Sequence, residues 1–415
     1  MKPVILTFAS YYLPGYRAGG PIRTIANMVE GLSDTFDFRI VALDRDLGDQ
    51  SPYPDIKLDA WMPRGKALVR YVSPKRFGLR KIAEIVQSTP HDVIYLNSFF
   101  DPKFTQQVLI NHRFGNLSAR PIVLAPRGEF SVGALQLKGL KKRTFIRLAN
   151  WLKLHDGLTW QASSTLEAAD IQRVMNISTR QVGRVVVSGH VVVAADVADS
   201  GDHSDVLGSK VQARPVGGSL RLCFLSRISP KKNLDYALCV LAKVQLPVRF
   251  LIYGPIEDAA YWSRCEELIA KLPTNIEVVH EGEVEPVNVV PMLMQNDLFL
   301  FPTRGENFGH VIHEALRAGL PLLISDQTPW QRLEELGVGW ELPLDNVGDF
   351  ARRIEEVACW SVTEREQRSA RARALAAEVG GNPDTLEANR RLFLDSIKNL
   401  KPSKDRASIE GVGSV

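Results

Sequence analysis

Residues 301–321, FPTRGENFGHVIHEALRAGLP, constrain the fold more than any other stretch of this 415-residue chain. An apolar run ends at Phe301, a glycine-rich turn follows, and apolar residues then recur at helical spacing from Val311 to Leu316. Gly319 ends the helix before a second apolar run. A strand, a turn and a helix in this order are typical of α/β proteins, which bind ligands at such turns. The helix N-terminus adds unpaired N–H groups and a positive dipole, so this turn suits an anion.

Two carboxylates lie in this stretch, Glu306 in the turn and Glu314 inside the helix. Both can face one ligand only if the turn curls over the start of the helix. A carboxylate accepts paired hydrogen bonds from neighbouring hydroxyls, so both residues suit the vicinal diols of a sugar or a ribose. Spacing alone leaves a second interpretation open, in which both are solvated surface residues.

Short apolar strands alternate with helical patterns along most of the chain. This alternation predicts parallel sheets that are covered by helices on both faces. A first set of strands is predicted at residues 4–8, 38–43, 92–96, 121–125 and 184–187, and a second set at 220–226, 248–253, 275–280, 297–301 and 320–325.

The length and the composition of the chain predict two domains, because 415 residues exceed one ordinary core. Residues 196–219 are rich in Asp, Ser and Gly, which is typical of a linker. The predicted fold class is therefore α/β, with two doubly wound, Rossmann-like domains facing across a cleft. The predicted segments are a first domain at 1–195, the linker at 196–219, a second domain at 220–383, an amphipathic helix at 384–400 and a disordered tail at 401–415.

The overall composition excludes several classes of protein. A net charge of +4 does not call for a nucleic-acid partner. The four cysteines are widely spaced without a CxxC pair, which argues against a disulfide framework or a zinc site and favours the cytoplasm. The first apolar run is too short for a signal peptide, and no run reaches the length of a membrane span.

Two further segments carry residues that suit phosphate groups. Gly19 and Gly20 precede a predicted helix, and glycines there allow close approach of an anion to the backbone. An ordinary turn is the alternative. Arg227 follows the first strand of the second domain, and Lys232 lies at the next helix start, where both could neutralise a diphosphate. An ordinary basic loop is the alternative here. Gly254 ends the following strand and could admit a nucleotide.

Taken together, the ENFGHVIHE motif and its flanks resemble the E-x7-E motif of glycosyltransferase family 4, the retaining GT-B enzymes. The resemblance covers nearly the whole chain, including an R-x4-K element. It implies a GT-B fold and metal-independent transfer, without a cofactor, from a nucleotide-sugar donor. The roles it implies are Glu306, Asn307, Phe308 and Gly309 near the hexose, Glu314 on the ribose, Gly19 and Gly20 over the diphosphate, Arg227 and Lys232 (rather than Lys231) on the diphosphate, and Gly254 near the nucleotide. Arg17 and Arg23 are further candidate anion contacts.

The first domain departs from the family pattern at residues 126–130, PRGEF. Many members carry a histidine near this point, whereas Arg127 and Glu129 stand here. We expect these two residues to contact the acceptor or the sugar. Asp44 and Asp46 form a D-x-D pair, the metal motif of the other glycosyltransferase fold, but their position after the second strand favours two solvated acids without a metal.

Residues 60–83 and 130–155 carry many cations and no acidic residue. The second stretch also has apolar residues near helical spacing, including Leu140 and Trp151. Such a segment suits an anionic membrane surface, although a solvated helix face packed on the core is an equal alternative. The resemblance favours the membrane, because many relatives extend lipid-linked glycans at its inner face.

The predicted function is therefore the transfer of a hexose from a UDP- or GDP-sugar to a glycan acceptor that is lipid-linked, in bacterial surface polysaccharide or lipopolysaccharide synthesis. The predicted location is cytoplasmic, with peripheral membrane association. Two other functions stay open: a sugar-nucleotide epimerase on the same fold, and a nucleotide-sugar-binding protein without catalysis.

Overall fold

The computed structural model describes residues 1–117, 120–136, 139–176, 190–199 and 218–398. These residues form two α/β domains, each built on one largely parallel sheet, so the predicted fold class is confirmed. The predicted strand at 184–187, most of the predicted linker and the predicted tail lie outside the described residues.

The first domain is built on an eight-stranded sheet with the order β3-β4-β2-β1-β5-β6-β7-β8. The edge strand β3 pairs antiparallel with β4, and the other neighbours pair in parallel. The strands are β1 (Val4–Phe8), β2 (Asp37–Leu43), β3 (Trp61–Arg64), β4 (Ala67–Val72), β5 (Val93–Asn97), β6 (Ile122–Ala125), β7 (Thr159–Ala162) and β8 (His190–Val193).

Helices cover both faces of this sheet, as continuously apolar parallel strands require. They are α1 (Gly20–Leu32), α2 (Leu79–Ser88), α3 (Gln107–Arg113), α4 (Val132–Gln136), α5 (Gly139–Trp151) and α6 (Thr165–Met175), and a π-helical turn spans Pro102–Gln106. Two separate apolar clusters form the core, one with Phe99 and Trp160 and the other with Phe36 and Tyr95.

The second domain is built on a six-stranded parallel sheet with the order β11-β10-β9-β12-β13-β14. Its strands are β9 (Leu220–Leu225), β10 (Val248–Tyr253), β11 (Ile276–Gly282), β12 (Leu298–Phe301), β13 (Leu322–Ser325) and β14 (Gly339–Leu342). This is the order of a dinucleotide-binding fold, and the order reverses between β9 and β12. A ligand crevice is therefore expected at the carboxyl ends of these two strands.

Seven helices of the described residues follow these strands: α7 (Leu234–Leu241), α8 (Ala259–Ile269), α9 (Pro286–Leu293), α10 (His310–Arg317), α11 (Leu333–Leu336), α12 (Val347–Ala358) and α13 (Val362–Gly380). Among the described residues, no helix combines the length and the apolarity that crossing a bilayer requires.

The last helix, α14 (Pro383–Lys398), follows the second domain in the chain but packs on the first. Phe393 is fully buried there, with its ring edge-on to Phe36 at 5.7 Å and to Tyr95 at 5.2 Å between centroids. The Asn389 side-chain oxygen accepts a hydrogen bond from the Gln161 amide at 3.0 Å. The helix therefore fastens the end of the second domain to the core of the first.

We expect Phe393→Ala to lower the free energy of unfolding by about 4 kcal/mol, because it removes a fully buried ring and leaves a cavity. Denaturant unfolding followed by circular dichroism measures this loss. Arg391→Ala is the matched control, since this side chain on the same helix is 72% exposed and should change stability little. Equal losses in the two variants would show that the helix is not anchored by its buried face.

Candidate active site

A cavity of about 280 Å³ lies between the two domains, at the carboxyl ends of β9 and β12. The loop before α1 closes it from the side of the first domain. The predicted site residues on its wall are Gly19, Gly20, Arg127, Arg227, Lys232, Gly254, Glu306, Asn307, Phe308, Gly309 and Glu314. Of the predicted site residues, only Glu129 is not on this wall. Arg17 and Arg23 are on it as well.

The turn at 302–309 is held against the loop that follows β9. The Asn233 amide donates to the Pro302 carbonyl at 2.8 Å, and the backbone N–H of Arg304 donates to the Lys231 carbonyl at 2.9 Å. Gly309 has a φ of +80°, a left-handed conformation that favours glycine just before α10. These contacts bring the turn with Glu306 beside the loop with Lys232.

Glu306 forms the central ion pair of the cavity. Its carboxylate lies 2.5 Å from the Lys232 ammonium, and the Thr303 hydroxyl donates to it at 3.3 Å. Burial raises the pKa of Glu306, but the Lys232 and Lys231 ammonium groups outweigh burial and hold this pKa below its ordinary value. Glu306 is therefore an ionised carboxylate at neutral pH, poised to accept hydrogen bonds from sugar hydroxyls.

The side chain of Asn307, the residue after Glu306, also suits a substrate. It lines the cavity, and its buried amide nitrogen has no hydrogen-bond partner among the residues that the structure describes. A buried polar group without a partner is costly and rare in folded proteins. An oxygen of a bound sugar would provide such a partner.

Glu314 lies on α10, facing the first domain. It forms an ion pair with Arg23 of α1, across the cleft. A second ion pair between the domains joins the Arg17 guanidinium to Glu283 at 2.8 Å. Glu314, which was expected to bind a ribose, is thus held by Arg23 of the opposite domain. The linear sequence did not indicate this ion pair.

His310, which sequence reasoning missed, also bridges the domains. Its ring lines the cavity, and Nε2 lies 2.8 Å from the Thr24 hydroxyl of α1. Burial lowers its pKa to about 3, so the imidazole is neutral at physiological pH. Its place directly after Gly309, at the first position of α10, is the signal that could have marked it.

Arg127 and Glu129, the expected acceptor contacts, serve other groups of the first domain. The Arg127 guanidinium is on the cavity wall but forms an ion pair with Asp196 and hydrogen bonds to Asn97 and Tyr95. Glu129 is away from the wall, and its carboxylate accepts hydrogen bonds from the Ser98 hydroxyl and the Phe99 and Phe100 amides. Both side chains thus shape the loop beside the cavity.

Gly254 has a packing reason for being glycine. Its φ is +124°, and a Cβ atom there would lie 2.0 Å from the Ser226 carbonyl oxygen. The glycine therefore lets the ends of β9 and β10 approach each other. It still lines the cavity, as the sequence led us to expect.

The D-x-D pair has a structural task, and the expectation that both acids are solvated was wrong. Asp44 and Asp46 are buried, and the Asp46 carboxylate accepts hydrogen bonds from the Tyr16 and Arg17 amides. This carboxylate orders the loop that leads to Gly19. Among the described residues there is no group of three or more His, Cys, Asp or Glu residues that could hold a metal ion.

Comparison with protein families found a match that covers most of the second domain. Residues 209–374 match the family model described as Glycosyl transferases group 1. No curated protein sequence matches the chain significantly.

Solved structures similar to the chain match it over almost its whole length. Anabaena HepE, in complex with UDP and glucose, is 18% identical, with 96% of this chain and 100% of that chain covered and a TM-score of 0.64. Sucrose-phosphate synthase from Thermosynechococcus elongatus is 13% identical, with 95% and 100% covered and a TM-score of 0.64. A UDP-forming trehalose-phosphate synthase from Burkholderia xenovorans is 13% identical, with 95% and 100% covered and a TM-score of 0.68.

These likenesses identify the fold as GT-B, as predicted. The family match shows that residues 209–374, which include most of the second domain, are similar to glycosyltransferases of group 1.

We expect Glu129→Ala to lower the free energy of unfolding by about 3 kcal/mol, because the partly buried backbone N–H groups of Phe99 and Phe100 would lose their acceptor. Thermal or denaturant unfolding measures this loss, and Glu129→Gln, which keeps one acceptor oxygen, should lose less. Unchanged stability together with a raised KM for an acceptor would instead restore the acceptor contact predicted from the sequence.

Proposed function

We propose that the protein is a retaining glycosyltransferase of the family 4 type, which transfers a hexose from a UDP- or GDP-sugar to a glycan acceptor. One observation carries this proposal: a single cavity gathers Glu306 and Glu314 with Arg227 and Lys232. Acids suited to sugar hydroxyls thus lie beside cations suited to a diphosphate. The likeness to HepE in complex with UDP and glucose supports a nucleotide-sugar donor.

In this proposal the donor lies across the start of α10. The hexose hydroxyls donate to Glu306, and the Asn307 amide donates to a hexose oxygen. The ribose hydroxyls donate to Glu314, which gives up its ion pair with Arg23. The Arg23 guanidinium is then available to a phosphate oxygen, so the exchange loses little electrostatic energy.

The leaving diphosphate gathers negative charge as its bond to the anomeric carbon breaks. Arg227, Lys232 and the N-terminal amides of α10 stabilise that charge more in the transition state than in the bound donor. Both cations come from the loop after β9, which the turn at 302–309 holds in place. Fixed cations make a bound metal ion unnecessary in the proposed mechanism.

The anomeric configuration of the sugar is retained if the acceptor attacks from the same face that the diphosphate leaves. The bond from the anomeric carbon to the phosphate oxygen breaks, and its electron pair stays on the phosphate. The acceptor oxygen bonds to the same carbon while its proton moves to that phosphate oxygen. Glu306 stabilises the positive charge that develops on the sugar, and closure of the domains excludes water.

Mass spectrometry of reactions with a panel of UDP- and GDP-sugars tests this function. We expect transfer to an acceptor, or slow donor hydrolysis, with one donor, and Lys232→Ala should lower turnover at least about 100-fold because a cation at the leaving group is lost. Circular dichroism of the variant controls for folding. A new sugar isomer would show an epimerase instead, and binding without turnover would show a nucleotide-sugar-binding protein.

A lipid-linked acceptor, used in surface polysaccharide or lipopolysaccharide synthesis at the cytoplasmic face of the membrane, is supported by α5. Leu140, Leu148 and Trp151 are 84%, 49% and 77% exposed along one side of this helix. Arg143 and Arg147 are exposed beside them. An apolar stripe flanked by cations suits an anionic bilayer surface.

The other basic stretch, residues 60–83, supports the membrane less than its composition suggested. Three of its seven cations pair with carboxylates outside the stretch: Lys81 and Arg70 lie near Asp59 and Glu84, and Lys66 lies 2.6 Å from Glu30. We therefore assign the main membrane contact to α5.

Vesicle flotation tests this contact. We expect the protein to float with vesicles that contain phosphatidylglycerol but not with pure phosphatidylcholine, and to bind less at high salt. Trp151→Ser should reduce binding about tenfold, because an exposed apolar anchor is lost. Val287→Ser, which changes a residue 76% exposed on the other domain, is the control. Equal flotation of both variants would contradict the assignment.

A further inference from the structure

Among the residues that the structure describes, six cations line the cavity, and five of them pair with carboxylates of the protein. The pairs are Arg17 with Glu283, Arg23 with Glu314, Arg127 with Asp196, Arg227 with Glu257 and Lys232 with Glu306. Lys231 is the sixth. Within the part of the chain that the structure describes, no carboxylate oxygen lies within 4.0 Å of its ammonium, and no hydrogen bond from that group is formed.

The surroundings of Lys231 make this lack of a partner costly. The side chain is partly buried, and burial lowers its pKa, with smaller opposing effects of the Glu306 and Glu129 carboxylates. The neighbouring charges of Lys232 and Arg227 repel it. A partly buried cation without a partner is rarely kept for stability, whereas binding sites commonly hold groups that a ligand completes.

We propose that Lys231 is a substrate-binding residue, whose ammonium pairs with an anionic group of the nucleotide-sugar donor. The charge of each of the other five cations is already partly neutralised by a carboxylate, which a bound anion must share or displace. The Lys231 ammonium has no carboxylate partner among the described residues, so a bound anion competes with none for its charge. This inference rests on the proposed function, and it assigns a role to a residue that the sequence pattern passed over in favour of Lys232.

Two sources supply the required anionic oxygen: the diphosphate of any donor, or a carboxylate on an acidic sugar. The charges that act on Lys231 are those of Arg227 and Lys232, assigned above to the diphosphate, and those of Glu306, assigned above to the sugar, and of Glu129. Either anionic group of a donor therefore fits this place in the cavity. Ligands that carry one or both groups distinguish them.

Calorimetric titration tests the assignment. Wild-type protein is first titrated with UDP and with GDP. The nucleotide that binds is then titrated again in two linked forms, with glucose and with glucuronic acid. We expect Lys231→Gln to weaken binding about tenfold, or about 1.4 kcal/mol, and Lys231→Arg to retain most of it. Lys271→Gln makes the same change of charge at an exposed site of this domain and should change nothing.

The pattern of losses identifies the anion. An equal loss for the free nucleotide and both sugar derivatives assigns Lys231 to the diphosphate, and a loss confined to the glucuronic acid derivative assigns it to an acidic sugar. Unchanged binding of all three ligands would overturn the proposal. If wild-type protein bound neither nucleotide nor sugar derivative, the proposed function would fail, and the role of Lys231 with it.

Thermal unfolding provides a second readout that a structural role would not give. Lys231→Gln should leave the melting temperature unchanged or raise it, because the substitution removes an unpaired charge. Lys232→Gln should lower it, since Glu306 would lose its partner inside the cavity. A drop of the same size in both variants would mean that Lys231 supports the fold, and the proposal would be wrong.

Discussion

Pairing of opposite charges inside a cleft is the interaction on which the rest of this structure depends. Loops and helices of the two domains meet at one cavity, and six cations lie on its wall among the described residues. Cations this close to one another would repel, and carboxylates of both domains pair with five of them. Lys232 and Glu306 show this arrangement most closely, at 2.5 Å. The cavity can therefore accept a strongly anionic substrate without being unstable by itself.

Several of these pairs join the two domains. Arg17 and Arg23 of the first domain meet Glu283 and Glu314 of the second, and the Thr24 hydroxyl meets His310. The relative position of the domains and the charge state of the site are thus linked. In the proposed reaction, a donor that takes Glu314 from Arg23 removes one contact between the domains and provides another through its phosphates. Opening and closing of the cleft would then follow substrate binding and product release.

The sequence predicted the parts of the site that depend on local structure. The strand, turn and helix around Glu306 follow from apolar spacing and glycines, and Phe301 ends its strand as predicted. Contacts between distant segments had no local signal. Arg17 and Glu283 lie 266 positions apart, and neither one indicates the other. Glu129 follows a strand end, as a cleft residue would, yet its carboxylate turns toward the Phe99 and Phe100 amides.

The ion pair between Lys232 and Glu306 has a further consequence for the proposed reaction. As the glycosidic bond to phosphate breaks, negative charge grows on the leaving oxygen and positive charge grows on the sugar ring. Attraction of Lys232 toward the phosphate weakens its hold on Glu306, whose negative charge then acts on the sugar. Both shifts stabilise the transition state more than the bound donor, because each responds to a charge that develops only there. Lys232 and Glu306 neutralise each other in the folded protein. During the proposed reaction, each can thus stabilise one of the two opposite charges that form as the bond breaks.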